Sequence, residues 1–239
     1  MLYTVSPDVF ERAPEFERAV VIISDVENSR PAEELEVLFR QRLKEIEDDP
    51  TLTAGDPRIE AWIAAYRLFP SPQGQRIRPS ISSLVRRIKK GGSDRIPFIS
   101  PLVAISNLVS LEYFTPSGLI DADSVTGNLI LGPATGNESF TPFGRDEESK
   151  IEPGEIIYYD DDSKTVLCRA WNSQGGKATG IQPSTRHAVL DVDCLLPVLN
   201  KEELNAASAF AADLAQKYCS ARSQVFTLNA SNPSFEFTF

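Results

Sequence analysis

The hydrophobic pattern of the chain changes at Pro116, and this change limits the folds available to it. Before this proline, apolar residues recur at three- and four-residue spacing, which predicts amphipathic helices. After it, short β-branched and aromatic runs separated by turn residues predict strands. The Asp-Asp-Ser-Lys run at 161–164 predicts a hairpin turn between two of them. Helices followed by hairpin-like strands favour an α+β fold over a doubly wound α/β sheet.

Start and stop signals place the predicted elements along the chain. A buried strand at 19–24 precedes helices that begin near Pro31, Pro57, Ser80 and Ser100. The predicted strands lie within 128–132, 155–160, 165–171 and 188–193, and a further helix spans 201–218. The tail Phe-Glu-Phe-Thr-Phe alternates with a period of two, which places its three phenylalanines on one face.

Length and composition favour one soluble unit. A chain of 239 residues, of which 41% are hydrophobic, has enough apolar material for one large domain, and we expect a single domain over 1–239. The chain has no apolar run of about 18 residues, and its acidic start lacks the features of a signal peptide. The expected location is the cytoplasm, with no membrane partner, while the oligomeric state stays open.

The usual catalytic and metal-binding motifs are absent from the sequence. Phosphate-loop, dinucleotide-binding, zincin and hydrolase-elbow motifs do not occur. The widely spaced Cys168, Cys194 and Cys219 favour buried thiols over a zinc site or disulfides. The only histidine is His187, which excludes a histidine-rich metal site. No metal or cofactor is predicted.

A local basic cluster stands out against a net charge of −10, which argues against a general nucleic-acid coat protein. Residues 76–95 contain 7 basic residues and one acidic residue, Asp94. On the predicted helix, Arg86, Arg87, Lys89 and Lys90 face largely outward. They are candidates for contact with an RNA phosphate strand, and an ordinary solvated helix face is the alternative.

Four segments in order resemble a known family. They are AWIAAYRLF, PSISSLVRRIKKGG with IPFISPLVAISNLVSLEYFTPSGLIDAD, GPATGNESFTPFG, and GEIIYYDDDSKTVLCRAWNSQGGKATGIQPSTRHAVLDVD. Over about residues 57–197 they resemble the B3/B4 domain of the phenylalanyl-tRNA synthetase β subunit, and more closely its freestanding relatives. The resemblance implies an α+β module whose antiparallel strands and helices enclose a concave pocket. The N-terminal strand and helix and the C-terminal helix and tail would be additions to it.

The resemblance also implies an activity. In the synthetase the pocket hydrolyses tyrosine wrongly esterified to the phenylalanine tRNA. Here Asn107 and Glu112 match a run that leads to the pocket rim, but Gly118 stands where the synthetase has a histidine. Ala104 stands where freestanding relatives tend to have an aspartate. The carboxylate that reads the tyrosine hydroxyl falls at Asp191 here.

The remaining candidate site residues are polar or aromatic groups near the matched segments. Backbone groups around Gly136 and Asn137, together with the side chains of Asn107, Asn172 and Gln174, could bind substrate and stabilise a developing oxyanion. Trp171 could form an aromatic wall or belong to the core. Asn172 and Gln174 could instead form a turn, Asn107 could be a buried structural amide, and Asp191 could face solvent. We expect Asn107, Gly118, Trp171, Asn172 and Asp191 to border one pocket.

Two functions therefore remain open at this point. The first is a hydrolase that acts in trans on mischarged aminoacyl-tRNA, since an aminoacyl ester needs only positioning beside water and oxyanion stabilisation. The second is a binding module without turnover that holds an amino acid, a small metabolite or a tRNA 3′ end. The missing rim histidine and the net charge favour the second, and the retained pocket segments favour the first. A full synthetase is not expected, because the sequence is short and shows none of the aminoacylation machinery.

Overall fold

The computed structural model of the protein describes residues 1–53, 55–69, 77–196 and 199–239. Its helices are α1 (Pro7–Arg12), α2 (Glu33–Asp48), α3 (Pro57–Tyr66), α4 (Ser80–Gly91), α5 (Pro101–Tyr113) and α6 (Lys201–Cys219). Its strands are β1 (Leu2–Val5), β2 (Phe16–Ser24), β3 (Ser117–Asp121), β4 (Leu129–Pro133), β5 (Ile156–Asp160), β6 (Val166–Arg169), β7 (Gln174–Gly175), β8 (Ala188–Leu195), β9 (Arg222–Leu228) and β10 (Ser234–Glu236).

The strands form two sheets, which confirms the α+β class. Sheet A has the order β10-β1-β4-β5-β6-β7, and sheet B has the order β3-β8-β2-β9. Sheet B is antiparallel throughout, whereas sheet A contains one parallel pair, β1 with β4. None of the helices in the described ranges is long and apolar enough to span a membrane.

Sheet B lies between two hydrophobic cores, and its central strands show this in their side-chain alternation. β2 and β8 are buried along their whole length. Val21 and Leu190 pack in a core shared with helices α2, α4, α5 and α6, whereas Val20 and Val189 pack in a core shared with sheet A. Because side chains alternate along a strand, Arg18, Asp191 and Asp193 fall on the side that faces sheet A.

The predicted helices begin and end at the signals that the sequence carries. Ser100 caps α5 and Asp56 caps α3, each by accepting a hydrogen bond from a backbone N–H of the first turn. Gly92 follows α4 with a φ of 86°, a conformation that glycine adopts without steric cost. Along α6, Asn200 and Glu203 form a reciprocal capping box.

The sequence pattern did not predict several of the strands. β3 follows directly after Pro116, where the sequence indicated only a break, and β1 and β9 also had no clear signal. β9 is an edge strand with mostly exposed or half-buried side chains, so its apolar alternation is weak. The alternating tail forms a strand only over Ser234–Glu236, which pairs with β1.

Candidate functional site

A cavity of about 190 Å³ lies between the two sheets. Sheet B lines it with Arg18, Asp191, Asp193 and residues 117–120, and sheet A lines it with Tyr158, Leu167, Cys168 and Gly175. The turn after β6 adds residues 171–173, and Ser80 from the first turn of α4 closes another side. At about 30 Å³ per water, the volume corresponds to roughly six waters, which suits a ligand group of amino-acid side-chain size.

A buried ion pair forms one wall of this cavity. Arg18 and Asp193 lie directly opposite each other in the β2–β8 register. Arg18 Nε donates to Asp193 Oδ1 over 2.5 Å and Nη2 donates to Oδ2 over 3.0 Å, and both residues are almost fully buried. This two-point geometry is the strong form of an arginine–carboxylate contact. The pair is electrically neutral as a unit.

Asp191 is a second carboxylate beside that pair, and a tyrosine connects the two. Arg18 Nη1 donates to the Tyr3 hydroxyl over 2.8 Å, and this hydroxyl donates to Asp191 Oδ1 over 2.7 Å. Burial raises the pKa of Asp191 to about 6, although Arg18 and the hydrogen bond from Tyr3 act in the opposite direction. At neutral pH, Asp191 is therefore a carboxylate whose charge is only partly compensated.

Asp191 Oδ2, the oxygen that does not accept from Tyr3, is available to a ligand. Within the described residues no donor lies at hydrogen-bond distance of Asp191 Oδ2, and the nearest cationic atom is Arg18 Nη1 at 3.7 Å. Gly118 lies opposite Asp191 in the β3–β8 register. A Cβ at Gly118 would lie 3.8 Å from Oδ2, so the glycine leaves open the space next to this oxygen.

Trp171 serves both the core and the cavity, the two alternatives that the sequence left open. Its ring packs against Phe16, Trp62, Tyr66 and Phe69 in a buried aromatic cluster, and it also lines the cavity. Ala170 and Trp171 have φ values of 49° and 65°. Both values lie in the left-handed region of φ, where a non-glycine residue is strained by an order of 1–3 kcal/mol. Such strained residues concentrate at functional sites.

Asn172 bridges the cavity network to α3. Its side-chain amide donates to Asp193 Oδ2, and its oxygen accepts from the Tyr66 hydroxyl. Both ends of the amide are thus occupied by protein partners. Asn172 lines the cavity as expected, and its hydrogen bonds indicate a role in positioning Asp193.

Asn107 and Glu112, both candidates for substrate binding, lie outside the cavity lining. The polar α5 side chains that reach β3 are Ser106, which contacts Ser117, and Ser110, which accepts from the Ser117 backbone N–H. Asn107, on the same helix, is half-buried and does not line the cavity. Glu112 is exposed and lies 3.1 Å from Arg42 in an ion pair.

Gly136, Asn137 and Gln174 also lie away from the cavity lining. The backbone N–H of Gly136, a candidate oxyanion donor, donates instead to the carboxylate of Glu138 over 2.9 Å. Asn137 is exposed in the same loop, and Gln174 is exposed on the short edge strand β7. The neighbour of Gln174, Gly175, is the β7 residue that borders the cavity.

A second depression, the basic groove, is lined by Arg86, Arg87, Lys90 and Arg95 together with Ser83 and Gly91. Its four cations have no acidic partner within ion-pair distance among the described residues. The side chain of Arg95 lies across Gly91, where a Cβ would come within 2.9 Å of Arg95 Cγ. The groove thus gathers three of the four cations of α4 and one cation that follows the helix.

Lys89 does not line the basic groove. Its Nζ donates to the backbone carbonyls of Glu47 and Asp49, the former over 3.2 Å, at the end of α2. A cation at a helix C-terminus satisfies carbonyls that have no partner within the helix. This position gives Lys89 a structural role in the contact between α2 and α4.

Cys168 lines the cavity but is not an activated nucleophile. Burial raises the pKa of its thiol to about 12, so the thiolate is absent at neutral pH. In the ranges that the structure describes, no group of three His, Cys, Asp or Glu side chains is placed to hold a metal ion. The lining offers carboxylates, hydroxyls and aromatic rings to a ligand.

Sequence reasoning missed the neighbours of Asp191: Arg18 and Asp193, which line the cavity, and Tyr3, which hydrogen-bonds to Asp191. Asp191 and Asp193 are two residues apart in an apolar strand, a spacing that places both carboxylates on one buried face. Such a face needs a cation, and Arg18 lies near the start of the other fully buried strand. The spacing of the two aspartates was thus a usable signal, whereas Tyr3 carried none.

The fold is an α+β module with a cavity between its two sheets, of the kind that the resemblance implied. The family model of the B3/4 domain matches residues 72–220, more than half of the chain, and the protein belongs to this family. The match excludes β1 and β2, so Arg18, which lines the cavity, and Tyr3, which hydrogen-bonds to Asp191, lie outside the matched region.

Two curated relatives are similar to part of the chain. The phenylalanine–tRNA ligase β subunit of Mycoplasma genitalium is 34% identical over 87 residues, which are 36% of this chain and 10% of the relative. That of Ruegeria pomeroyi is 31% identical over 93 residues, 39% of this chain and 11% of the relative. The chain thus matches about a tenth of the length of these relatives.

A solved structure is similar over most of the chain. It is an N-terminal fragment of the phenylalanyl-tRNA synthetase β subunit from Pyrococcus horikoshii, with 11% sequence identity and a TM-score of 0.47. The similarity covers 92% of this chain and 49% of the fragment.

Proposed function

We propose that this protein receives the aminoacyl end of a tRNA, reads the amino acid in the cavity and hydrolyses the ester of a wrong amino acid. One observation carries the proposal: α4 joins the cavity to the basic groove. Ser80 in its first turn lines the cavity, and Ser83, Arg86, Arg87 and Lys90 line the groove from the next turn onward.

The distances along α4 suit a ligand with a small head and an anionic tail. At 1.5 Å of rise per residue, Arg86 and Lys90 lie about 9 and 15 Å along the axis from Ser80. Nucleotides follow each other at about 3.4 Å along a stacked strand, so the groove would contact phosphates within the last few nucleotides. An amino acid esterified to the end of that strand would reach the cavity.

The chemistry that the cavity supports is hydrolysis by a positioned water. The cysteine of the lining is protonated and its aspartates are hydrogen-bonded, so a covalent enzyme intermediate is not expected. Water would add to the ester carbonyl and release the free amino acid and the terminal hydroxyl of the RNA. Three groups of lining residues are buried without a hydrogen-bond partner among the described residues and are therefore the candidate donors to the oxyanion: Ser80 Oγ, Tyr158 Oη and Trp171 Nε1.

We assign the whole chain, residues 1–239, to a single domain that carries the site. Tyr3 and Arg18 precede the matched region, yet both hydrogen-bond into the network around Asp191 and Asp193. The C-terminal β10 pairs with β1. These contacts support a single domain in which the N-terminal strands are part of the site.

A binding module without turnover is the second candidate. The observation in its favour is that the described cavity lining contains neither an imidazole nor a thiol poised to ionise. Such a module would hold the same ligand, so the two candidates differ in turnover alone.

A deacylation screen against correctly and wrongly charged tRNAs tests the proposal. We expect the protein to release one class of wrong amino acid, and Asp191→Asn to change which ester is cleaved while some turnover remains. Release of no amino acid from any charged tRNA, with binding intact, would leave the binding module. Complete loss of hydrolysis in Asp191→Asn with normal binding would make Asp191 catalytic and contradict its role in recognition.

The basic groove is tested by neutralising Arg86, Arg87 and Lys90 together to Gln. We expect weaker tRNA binding and a salt dependence whose logarithmic slope falls by about two units, since each lost phosphate contact accounts for about 0.7–0.9. The matched control neutralises Lys44, Lys150 and Lys217, three exposed lysines that already pair with acids. Equal effects of the two triple variants would indicate that the groove is an ordinary solvated surface.

A further inference from the structure

The charge of the cavity is unbalanced, and this imbalance bears on what it binds. The charged residues that the structure places in its lining are Arg18, Asp191 and Asp193. Arg18 and Asp193 neutralise each other through two hydrogen bonds. One negative charge, that of Asp191, is left in a site whose other walls are largely apolar or aromatic.

The position of that charge is equally specific. Asp191 Oδ1 already accepts from Tyr3, while Oδ2 faces the space that Gly118 leaves open. Tyr158 and Trp171 are the aromatic residues of the lining. A buried carboxylate is stabilised most by a partner that both donates a hydrogen bond and carries the opposite charge.

From this geometry we infer that the cavity takes a primary ammonium group, which donates to Asp191 Oδ2 and neutralises the charge. A hydroxyl group would supply the hydrogen bond but leave the negative charge uncompensated in a buried site. The inference rests on the proposed function in so far as the cavity is taken to be the ligand site, and it narrows the ligand to amines. The ammonium group comes either from the α-position of an amino acid or from its side chain.

Four small amides separate these sources without any RNA. Nα-acetyl-lysinamide offers only a side-chain ammonium group, and norleucinamide offers only an α-ammonium group. Nα-acetyl-tyrosinamide offers only a hydroxyl, and Nα-acetyl-norleucinamide offers neither. Calorimetry at pH 7.0 on the full chain is expected to show at least tenfold tighter binding of one ammonium amide than of the last two. Tightest binding of the hydroxyl amide, or binding of none of the four, overturns the inference.

Variants locate the binding at Asp191. Asp191→Asn keeps the acceptor for Tyr3 but removes the charge, and Gly118→Ala places a methyl group beside Oδ2. We expect each to weaken binding of the preferred ammonium amide at least tenfold. Asp121→Asn is the matched control, because Asp121 is as buried as Asp191, each 5% exposed, and does not line the cavity. Equal loss in the control, or no loss in Asp191→Asn, contradicts the inference.

The pH dependence supplies an independent readout. Lowering the pH from 7 to 5 protonates Asp191, whose pKa is about 6, so binding of the ammonium amide is expected to fall about tenfold. The other groups facing Asp191 are Arg18, Asp193, Tyr3, Tyr158 and Cys168. Burial raises the pKa of the two tyrosines and of the thiol, which therefore keep their protons throughout. Affinity that stays constant over this range contradicts an ammonium–carboxylate contact.

Failure of this inference and failure of the proposed function are distinguishable. Amine binding without deacylation of any charged tRNA would leave the inference standing and remove the hydrolase. Deacylation with unchanged selectivity in Asp191→Asn, together with no preference for an ammonium amide, would remove the inference and leave the hydrolase standing.

Discussion

Two buried arginine–carboxylate pairs in this protein resemble each other in geometry and differ in what surrounds them. Arg169 donates to Glu155 through Nε over 2.8 Å and through Nη2 over 3.0 Å, much as Arg18 donates to Asp193. The pair Arg169–Glu155 is neutral, and Phe140 lies close to the guanidinium. The pair Arg18–Asp193 has a second carboxylate and a cavity next to it.

The difference shows how a structural motif becomes a candidate site. A lone buried pair is satisfied by its own geometry and offers nothing to a ligand. Adding Asp191 leaves one charge in excess, and that charge costs folding stability. A group that destabilises the folded state while facing a cavity is better explained by binding than by packing.

Breaking the two pairs gives the largest expected effect. Glu155→Gln leaves Arg169 without its partner, and removing one member of a buried pair typically costs about 3–5 kcal/mol. Asp193→Asn is expected to cost less than half as much, because Arg18 retains Asp191, whose Oδ2 is 3.7 Å from Nη1. Urea unfolding at pH 7 measures both losses.

The double variant sharpens this test. Asp191→Asn combined with Asp193→Asn deprives Arg18 of both carboxylates, so its loss should approach that of Glu155→Gln and exceed the sum of the two single changes. Equal losses for Glu155→Gln and Asp193→Asn would show that Asp191 gives Arg18 no support.

Asp191→Asn is expected to stabilise the protein at neutral pH. The pKa of Asp191 is about 6 in the folded protein against an ordinary value of 3.8, so the folded state holds this proton more tightly than the unfolded state does. Stability from the protonated group is present below about pH 4 and is lost as the pH rises through 6. The loss amounts to roughly 3 kcal/mol, at 1.36 kcal/mol per pH unit, and the variant escapes it.

Unfolding of the wild type and of Asp191→Asn at pH 4 and pH 8 tests this expectation. The difference in unfolding free energy should favour the variant at pH 8 and shrink towards zero at pH 4. Glu155→Gln, in contrast, should be less stable than the wild type at pH 8. A comparable loss for Asp191→Asn at pH 8 would assign Asp191 to the structural class of Glu155.

The smallest expected effect concerns Lys89 and Lys90, two neighbouring lysines of α4. Lys89 has a structural contact, whereas Lys90 lines the basic groove. Lys89→Gln removes a cation from the end of α2 and should lower stability by about 0.3–1 kcal/mol without changing tRNA affinity. Lys90→Gln should weaken tRNA binding with a stability change within about 0.5 kcal/mol. Thermal unfolding and a binding titration on both variants check this, and a reversal of the two results would contradict the assignment.

Local signals explain which parts of the fold were predictable. Ser100 and Asp56 cap helices through bonds within their own first turn, and Gly92 ends α4 through its own backbone, so the sequence nearby is sufficient. β3 and β9 depend instead on pairing with strands distant in sequence. Their own residues show weak alternation, and for this reason the sequence did not reveal them.

The sequence also predicted only part of the candidate site. The family pattern led to Gly118, Trp171, Asn172 and Asp191, which all line the cavity. It also suggested residues that do not line the cavity: Asn107, Glu112, Gly136, Asn137 and Gln174. The α5 side chains that reach β3 are those of Ser106 and Ser110. The roles of these residues in binding stay predictions.

The sequence by itself determined the order and type of most elements, the helix caps, the basic face of α4 and the family of the chain. Only the tertiary structure decided which charges meet. The β2–β8 register sets Arg18 against Asp193, and the β3–β8 register sets Gly118 against Asp191. The contact of Tyr3 with Asp191 joins residues 188 positions apart. Hydrophobic periodicity fixes which face of a strand is buried, but the partner on the next strand follows from long-range pairing, which no local stretch of sequence encodes.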